Sequence, residues 1–174
     1  MGDVHPMGNP HYWLDPENVK IVARNIANRL SELSPDNAQY FQNNFASLDK
    51  KIDEKMADWN RKMEPFKGRK IAIYHRSWPY FADRFGLVIA CELEPKPGIP
   101  PSAKHLASLV SEAEARKARV ILQEPFYTLK AAEFVASRTG AKVVAVPTMT
   151  GGSPEAGSYL EMLDNVIRKV SADL

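Results

Sequence analysis

This sequence has a single cysteine, no long apolar run and no large excess of either charge. One cysteine, Cys91, stands among 174 residues, which excludes an internal disulfide and a cysteine-rich zinc motif. No apolar stretch approaches the roughly 20 residues that a membrane-spanning helix requires. Lysine and arginine number 23 against 21 acidic residues, for a net charge of +2. Because no basic stripe with interleaved aromatic residues is present, we expect no nucleic-acid partner.

The length and the composition are those of a folded domain. A chain of 174 residues, of which 44% are hydrophobic, buries a core without disulfides or metals as supports. The residues before Asn9 are polar and turn-like and lead directly into a motif described below. We therefore expect a fragment of a longer chain, with Met1 added as a start, so that the lack of a leader sequence says nothing about targeting.

The first third of the chain has helical periodicity. Apolar residues recur every three or four positions from Val19 to Leu33 and predict an amphipathic helix over 16–33. A second apolar stripe runs from Phe41 to Met63 without glycine or proline, which predicts one helix of about 28 residues, roughly 40 Å long. We expect this helix to act as a strut between two lobes. The first helix needs a neighbour for its apolar face, and a second copy of the chain, giving a homodimer, is one candidate.

After Pro65 the pattern changes to short apolar runs that alternate with helical segments. This alternation is typical of α/β proteins and predicts a four-stranded parallel, doubly wound (Rossmann-like) sheet. We therefore divide the chain into residues 1–66, a loop followed by a helix and the long linker helix, and residues 67–174, an α/β lobe. Strands are predicted at 70–74, 87–93, 120–123 and 142–146, and helices at 78–85, 102–117, 128–139 and 158–172.

Two histidines stand where the local chain is stiff or where a sheet presents ligands. His11 follows Asn9-Pro10 and precedes Asp15-Pro16, a pair that caps and starts the first helix. His75 follows the first predicted strand, at the edge where α/β sheets bind ligands. Neutral imidazole is the commonest metal ligand in proteins. We therefore predict that His11 and His75 belong to one transition-metal site.

An ordered set of short strings resembles a known family. The most specific string is Asn9-Pro10-His11-Tyr12-Trp13-Leu14-Asp15-Pro16. The others are Tyr74-His75-Arg76-Ser77-Trp78-Pro79-Tyr80-Phe81, Phe85-Gly86-Leu87, Glu124-Pro125, Thr139-Gly140 with Lys142-Val143-Val144, and Gly157-Ser158-Tyr159-Leu160-Glu161-Met162-Leu163 with Asn165. Together these strings cover nearly the whole chain, which resembles the carboxyl-terminal portion of the periplasmic zinc and manganese solute-binding proteins of ABC importers.

The resemblance implies two lobes joined by one long helix, with metal bound between the lobes. It implies that His11 and His75 are metal ligands, and that the family's first histidine lies upstream of this chain, so that the site here is incomplete. Zinc receptors of the family tend to have histidine at the position of His75, where many manganese receptors have glutamate. Imidazole suits zinc and carboxylate suits manganese, so zinc is expected rather than manganese or iron.

The loop before the last helix departs from the family pattern. Many members carry an aspartate ligand there, and residues 148–155 contain none. Glu124 ends the third strand at the same edge and is the candidate third ligand, with a buried, hydrogen-bonded carboxylate as the alternative. Glu155 and water are further candidates. His5 is interpreted as a loop histidine and His105 as a surface histidine.

The function implied is that of a high-affinity receptor that delivers zinc to the membrane permease of an ABC transporter, without chemistry on a substrate. We expect it in the periplasm or at the outer face of the membrane, with a lipid anchor in the full-length protein as one option. Two alternatives stay open. A zinc hydrolase would use His11, His75 and Glu124 with water in an open position, although no His-Glu-x-x-His string is present. A surface adhesin or partner-binding module would need no metal, or only a structural one.

Overall fold

The computed structural model describes residues 8–174. Asp15 begins the first long helix by accepting a hydrogen bond from the Glu17 N–H at 3.0 Å, with Pro16 at the first helical position, as the sequence predicts. None of the helices in the described part of the chain is long and apolar enough to pass through a bilayer. The amino-terminal part consists of α1 (Pro16–Leu33) and α2 (Ala38–Met63), with 3-10 turns at Tyr12–Leu14, Pro35–Asn37 and Glu64–Phe66.

Strands and helices alternate through the rest of the chain. The strands are β1 (Lys70–Ile73), β2 (Val88–Glu92), β3 (Val120–Gln123) and β4 (Lys142–Ala145), and the helices are α3 (Pro79–Arg84), α4 (Ala103–Arg116), α5 (Lys130–Thr139) and α6 (Tyr159–Asp173). Every strand pair is parallel, and the order in the sheet is β2-β1-β3-β4. The predicted four-stranded parallel sheet is confirmed.

Some elements differ from the predicted ones at their ends. The helix α2 has 26 residues, which at 1.5 Å per residue is about 39 Å, and a 3-10 turn takes the place of its predicted start. Leu87, predicted in a strand, closes α3 instead, because its N–H donates to the Ala82 carbonyl at 2.8 Å. The φ angle of Gly86 is +69°, a conformation that lets the chain reverse before β2 begins.

Apolar side chains cover both faces of the sheet. On one face β1, β3 and β4 pack against α2, α3 and α6, around buried residues such as Trp59, Phe81 and Val166. On the other face alternate residues of β1 and β3 pack against α4 and α5, around Leu109 and Val135. Strands buried on both faces read as nearly continuous apolar runs. The doubly wound arrangement therefore explains the short apolar runs from which it was predicted.

The carboxyl-terminal half of α2 is fixed to the α/β lobe. Trp59 is fully buried, and its Nε1–H donates to Asp164 Oδ1 on α6 at 2.8 Å. Lys55 Nζ lies 2.5 Å from Asp164 Oδ2. Because α2 also packs along α1, this helix is one continuous support between α1 and the lobe. The division of the chain between residues 66 and 67 stays a prediction.

The outer face of α1 is largely uncovered. Ile21, Ile26, Leu30 and Leu33 have between 39% and 65% of their surface exposed. The periodicity therefore predicts the helix correctly, and α1 packs against α2 on one side, but these four side chains stay exposed within residues 8–174. A homodimer through this face stays a prediction.

The strand order creates a crevice at the carboxyl ends of β1 and β3. The chain leaves β1 towards α3 on one face of the sheet and leaves β3 towards α5 on the other. Ligands bind at such switch points in open α/β sheets. His75 lies shortly after β1 and Glu124 lies directly after β3, so both residues are at this crevice or next to it.

Replacing Asp164 tests how α2 is fixed to the lobe. We expect Asp164→Ala to lower the free energy of unfolding by about 1–3 kcal/mol, because the buried Trp59 Nε1–H loses its acceptor. Asp58→Ala is the matched control, since Asp58 pairs with Arg61 and Lys62 along α2 itself and such surface pairs contribute little. Urea unfolding measures both variants. Equal losses of unfolding free energy in Asp164→Ala and Asp58→Ala would contradict this account of how α2 is attached to the lobe.

Candidate metal site

The segment that carries His11 is held against the α/β lobe. The Trp13 Nε1–H donates to the Thr148 carbonyl at 2.6 Å, and the Tyr159 hydroxyl donates to the Trp13 carbonyl at 2.8 Å. Leu14 beside them is fully buried. These contacts join residues that are far apart in the sequence, so the position of the segment is a result of tertiary packing.

Asp15 adds an ion pair to this attachment. The Arg84 guanidinium of α3 donates to both carboxylate oxygens of Asp15, at 2.6 and 2.8 Å. Bidentate pairs of this kind fix orientation as well as distance. The His11 loop, which the sequence analysis assigns to residues 1–66, therefore lies directly on the lobe of residues 67–174.

Asn9 orients the His11 ring. Its side-chain oxygen accepts a hydrogen bond from the His11 backbone N–H at 2.9 Å and lies 2.7 Å from the ring Nδ1. Its side-chain nitrogen donates to the Arg76 carbonyl at 2.8 Å. Because an amide oxygen can only accept, His11 Nδ1 carries the hydrogen, and Nε2 is the ring nitrogen suited to a metal.

Glu94 orients the His75 ring. The two residues follow adjacent strands, β1 and β2. Glu94 Oε2 lies 2.5 Å from His75 Nδ1, and Glu94 Oε1 accepts a hydrogen bond from the Gly98 N–H at 2.8 Å. Only 4% of the Glu94 side chain is exposed. Both carboxylate oxygens thus have a partner, and the contact with His75 leaves Nε2 of that ring for a metal.

The two imidazole rings are neighbours. Their centroids lie 5.3 Å apart, with an angle of 79° between the ring planes. A zinc–nitrogen bond of about 2.0–2.1 Å sets each ring centre roughly 3.2 Å from the metal, so two rings at a tetrahedral angle have centres ~5.2 Å apart. The structure therefore brings His11 and His75 to a separation that fits two ligands of one zinc ion. Their role as ligands stays a prediction.

A cavity of about 630 Å³ lies in front of the two rings. Charges of both signs line it, and Arg76 Nε is 3.5 Å from Glu92 Oε1. Within residues 8–174 no three His, Cys, Asp or Glu side chains are grouped so that they could hold a metal ion. The described chain therefore supplies a pair of imidazoles without a third such ligand beside them. The cavity is lined by Gly8, Asn9, Pro10, His11, His75, Arg76, Pro79, Glu92, Glu94, Pro95, Lys96 and Pro97.

Glu124 lies outside the wall of this cavity. Its side chain is fully buried, and neither carboxylate oxygen has a hydrogen-bond partner of normal geometry. Burial raises the pKa of Glu124, and the nearby Ser77 hydroxyl and the charge on a protonated His75 oppose that rise. The structure thus has a buried carboxyl group near His75, and metal coordination by Glu124 stays a prediction.

The other candidate residues lie away from the two rings. Glu155 is exposed in the loop before α6, and hydrogen bonds from its own backbone N–H and from Ser153 lower its pKa. His105, predicted on the surface, is half-buried instead, and its Nε2–H donates to the Leu93 carbonyl at 3.1 Å. His5 lies outside the described residues.

Sequence reasoning missed the roles of Glu94 and Asn9. The rule that selected Glu124, an acidic residue directly after a strand at the carboxyl edge of the sheet, also applies to Glu94, so a signal was present. Asn9 enters the sequence analysis only as part of the string that contains His11, and nothing in the sequence indicates that its oxygen lies against the His11 ring.

Comparisons with known proteins identify relatives of this chain. A family model described as zinc-uptake complex component A, periplasmic, matches residues 2–172. The high-affinity zinc uptake system protein ZnuA of Paracoccus denitrificans is 29% identical over 157 residues, which are 89% of this chain and 48% of that protein. The protein of the same name from Brucella abortus is 28% identical over 132 residues, which are 76% of this chain and 40% of that protein. The chain thus spans less than half the length of these relatives.

Solved structures of similar proteins share the fold. A crystal structure of ZnuA has a TM-score of 0.83 and 29% sequence identity, and the match covers 95% of this chain and 60% of that chain. A ZnuA deletion mutant with zinc bound has a TM-score of 0.80 and 28% identity over 95% of this chain and 61% of that chain. The solute-binding protein FpvC of Pseudomonas aeruginosa in complex with Ni²⁺ has a TM-score of 0.82 and 26% identity over 95% and 62% of the two chains. Because the family model matches nearly every residue, this chain belongs to the zinc-uptake complex component A family.

Proposed function

We propose that this chain forms part of a zinc-binding receptor of an ABC importer, with His11 and His75 as zinc ligands. One observation carries the proposal: the two ring centroids are 5.3 Å apart, a separation that suits two imidazoles on one zinc ion. Membership of a family described by zinc uptake supports it. Because the matched relatives are longer than this chain, the proposal concerns a longer protein of which these residues are a part.

Zinc suits this pair of donors better than manganese or iron. Imidazole is a good ligand for zinc, whereas manganese prefers carboxylate oxygen. Each Nδ1 faces an oxygen acceptor, a contact that fixes the direction of the ring. Zinc has four ligands in most sites, so two more ligands are needed beside His11 and His75. We propose Glu124, after a movement of its side chain, as the third ligand, with water and residues outside this chain as the other candidates.

The attachments of the two rings suggest how the receptor captures and releases metal. Asn9, Asp15 and Glu94 hold the His11 segment and the His75 ring before a metal arrives, so that binding orders few side chains and costs little conformational entropy. Release then requires the loss of a ligand. We propose that the metal passes to the membrane permease of an ABC transporter in the periplasm or at the outer face of the membrane, where a lipid anchor would retain the longer protein.

We propose no chemistry on a substrate. The matched relatives carry names of zinc uptake proteins. A zinc hydrolase needs a metal-bound water and a general base within reach of it. Glu94 has both oxygens engaged, and Glu124 lies outside the cavity wall, so no observation favours a hydrolase. None favours an adhesin or a partner-binding module either.

Replacing either histidine tests the proposed ligands. Structural zinc sites contribute about 10–16 kcal/mol in total, or roughly 3 kcal/mol for each of four ligands. We therefore expect His11→Ala and His75→Ala each to weaken zinc binding about 100-fold. Competition with a chromophoric chelator measures the affinity, and isothermal titration gives the stoichiometry.

His105→Ala is the matched control for these variants. It removes an imidazole that donates to the Leu93 carbonyl and lies outside the cavity wall. Its zinc affinity should stay within a few-fold of the wild-type value. Wild-type affinity in His11→Ala or His75→Ala, or an equal loss in all three variants, would refute the proposed pair of ligands.

The raised pKa of Glu124 predicts a pH-dependent stability of the metal-free protein. Between the unfolded pKa of about 4.5 and the higher folded pKa, the unfolded state binds fewer protons, so stability falls as the pH rises through that range. We expect Glu124→Gln, which cannot ionise, to gain stability relative to the wild type as the pH rises from 4.5 to 8. Urea unfolding at several pH values measures the difference, and a constant difference between the two proteins would contradict it.

A further inference from the structure

We propose that Glu94 is a positioning residue that keeps the hydrogen of His75 on Nδ1 and thereby presents Nε2 to zinc. The proposal rests on the proposed function and adds to it the residue that sets the state of the ligand. Glu94 was not among the residues that the sequence pointed to. Within residues 8–174, Glu94 belongs to no cluster of three His, Cys, Asp or Glu side chains that could hold a metal ion. We therefore infer that it acts only through its contact with His75.

The backbone of the sheet fixes Glu94 beside His75. The Glu94 N–H donates to the Tyr74 carbonyl at 3.0 Å, and the Leu93 N–H donates to the Ile73 carbonyl at 2.8 Å. These bonds continue the β1–β2 pairing beyond the strand ends. These two bonds hold the backbone from which the Glu94 carboxylate reaches the ring.

If the carboxylate turned away from the His75 ring, it would lose the hydrogen bond that its other oxygen accepts. Oε1 accepts from the Gly98 N–H at 2.8 Å, in a tight turn where Gly98 has a φ of +77° and Lys96 pairs with Ile99. Oε2 is then left to face His75 Nδ1 at 2.5 Å. A carboxylate oxygen accepts hydrogen bonds, so the ring nitrogen that faces Oε2 is the donor and the hydrogen lies on Nδ1. The neutral ring therefore has its lone pair on Nε2, the atom that can bind zinc.

Replacing Glu94 with glutamine would reverse the direction of the hydrogen bond to His75 Nδ1, while the side chain would keep almost the same shape. An amide that keeps its oxygen on the Gly98 N–H must turn its NH₂ group towards His75. His75 Nδ1 then has to accept, and the ring hydrogen moves to Nε2, where it blocks metal binding. The alternative orientation of the amide sets its NH₂ group against the Gly98 N–H, two donors facing each other.

The first measurement is the tautomer of His75 in the zinc-free chain. Long-range ¹H–¹⁵N correlation spectra distinguish Nδ1–H from Nε2–H, and a spectrum of His75→Ala assigns the signals. We expect the Nδ1–H form in the wild type and a shift towards the Nε2–H form in Glu94→Gln. Nε2–H in the wild type, or the same tautomer in both proteins, would overturn the proposal.

The second measurement is the zinc affinity of matched variants. We expect Glu94→Gln to bind zinc about 10–100-fold more weakly than the wild type. Glu92→Gln is the control, because Glu92 lines the same cavity, pairs with Arg76 and has 35% of its side chain exposed. It loses the same charge without touching an imidazole. Equal losses in both variants would assign the effect to the charge of the cavity and would overturn the positioning role.

A third variant keeps the proposal testable should Glu94→Gln fail to fold, which circular dichroism detects. Glu94→Asp retains an acceptor and is expected to keep the Nδ1–H tautomer of His75, whereas Nε2–H in that variant would overturn the proposal. The tautomer is measured without metal, so the two proposals can fail separately. Absence of zinc binding by the full-length wild-type protein would reject the receptor function, and the spectra would still decide the role of Glu94.

Discussion

The hydrogen bond from Trp13 to the Thr148 carbonyl and the bidentate pair of Asp15 with Arg84 hold residues 9–15 on the α/β lobe. The proposed pair of zinc ligands depends on that attachment. His75 is fixed by the sheet itself, but His11 belongs to a loop that leads into α1 and reaches the crevice only because its neighbours bond to the lobe. Without these contacts the two rings would move independently, and metal binding would have to supply the ordering free energy.

Two buried glutamates near His75 differ in their hydrogen-bond partners. Glu94 lies two residues beyond β2, and each of its oxygens has a partner, His75 Nδ1 or the Gly98 N–H. Glu124 directly follows β3, is fully buried, and has no partner of normal geometry on either oxygen. Burial raises its pKa, and the Ser77 hydroxyl opposes that rise. The turn at Gly98 contributes to the contrast, because its backbone N–H donates to Glu94.

The helical part of the chain is fixed firmly at one end and has an uncovered face at the other. The buried stripe of α2 is accompanied by a bond from a buried indole to Asp164, which ties the helix to α6. The outer face of α1 has exposed apolar side chains such as Ile26 and Leu33. Because α1 begins at Asp15, the residue paired with Arg84, its start shares the attachment of the His11 loop. The uncovered face of α1 therefore belongs to a helix whose first turn adjoins the proposed site.

The sequence by itself determined the elements of this protein. The periodicity from Val19 to Met63 and the apolar runs after Pro65 predicted the helices, the parallel sheet and the edge at which His75 lies, because such patterns depend on local geometry and burial alone. Only the tertiary structure decided three features of the site: the distance between His11 and His75, the contact of Glu94 with His75, and the lack of a hydrogen-bond partner of normal geometry at Glu124. Each depends on which backbone and side-chain groups meet across the fold, and a residue's own sequence neighbours do not specify those partners.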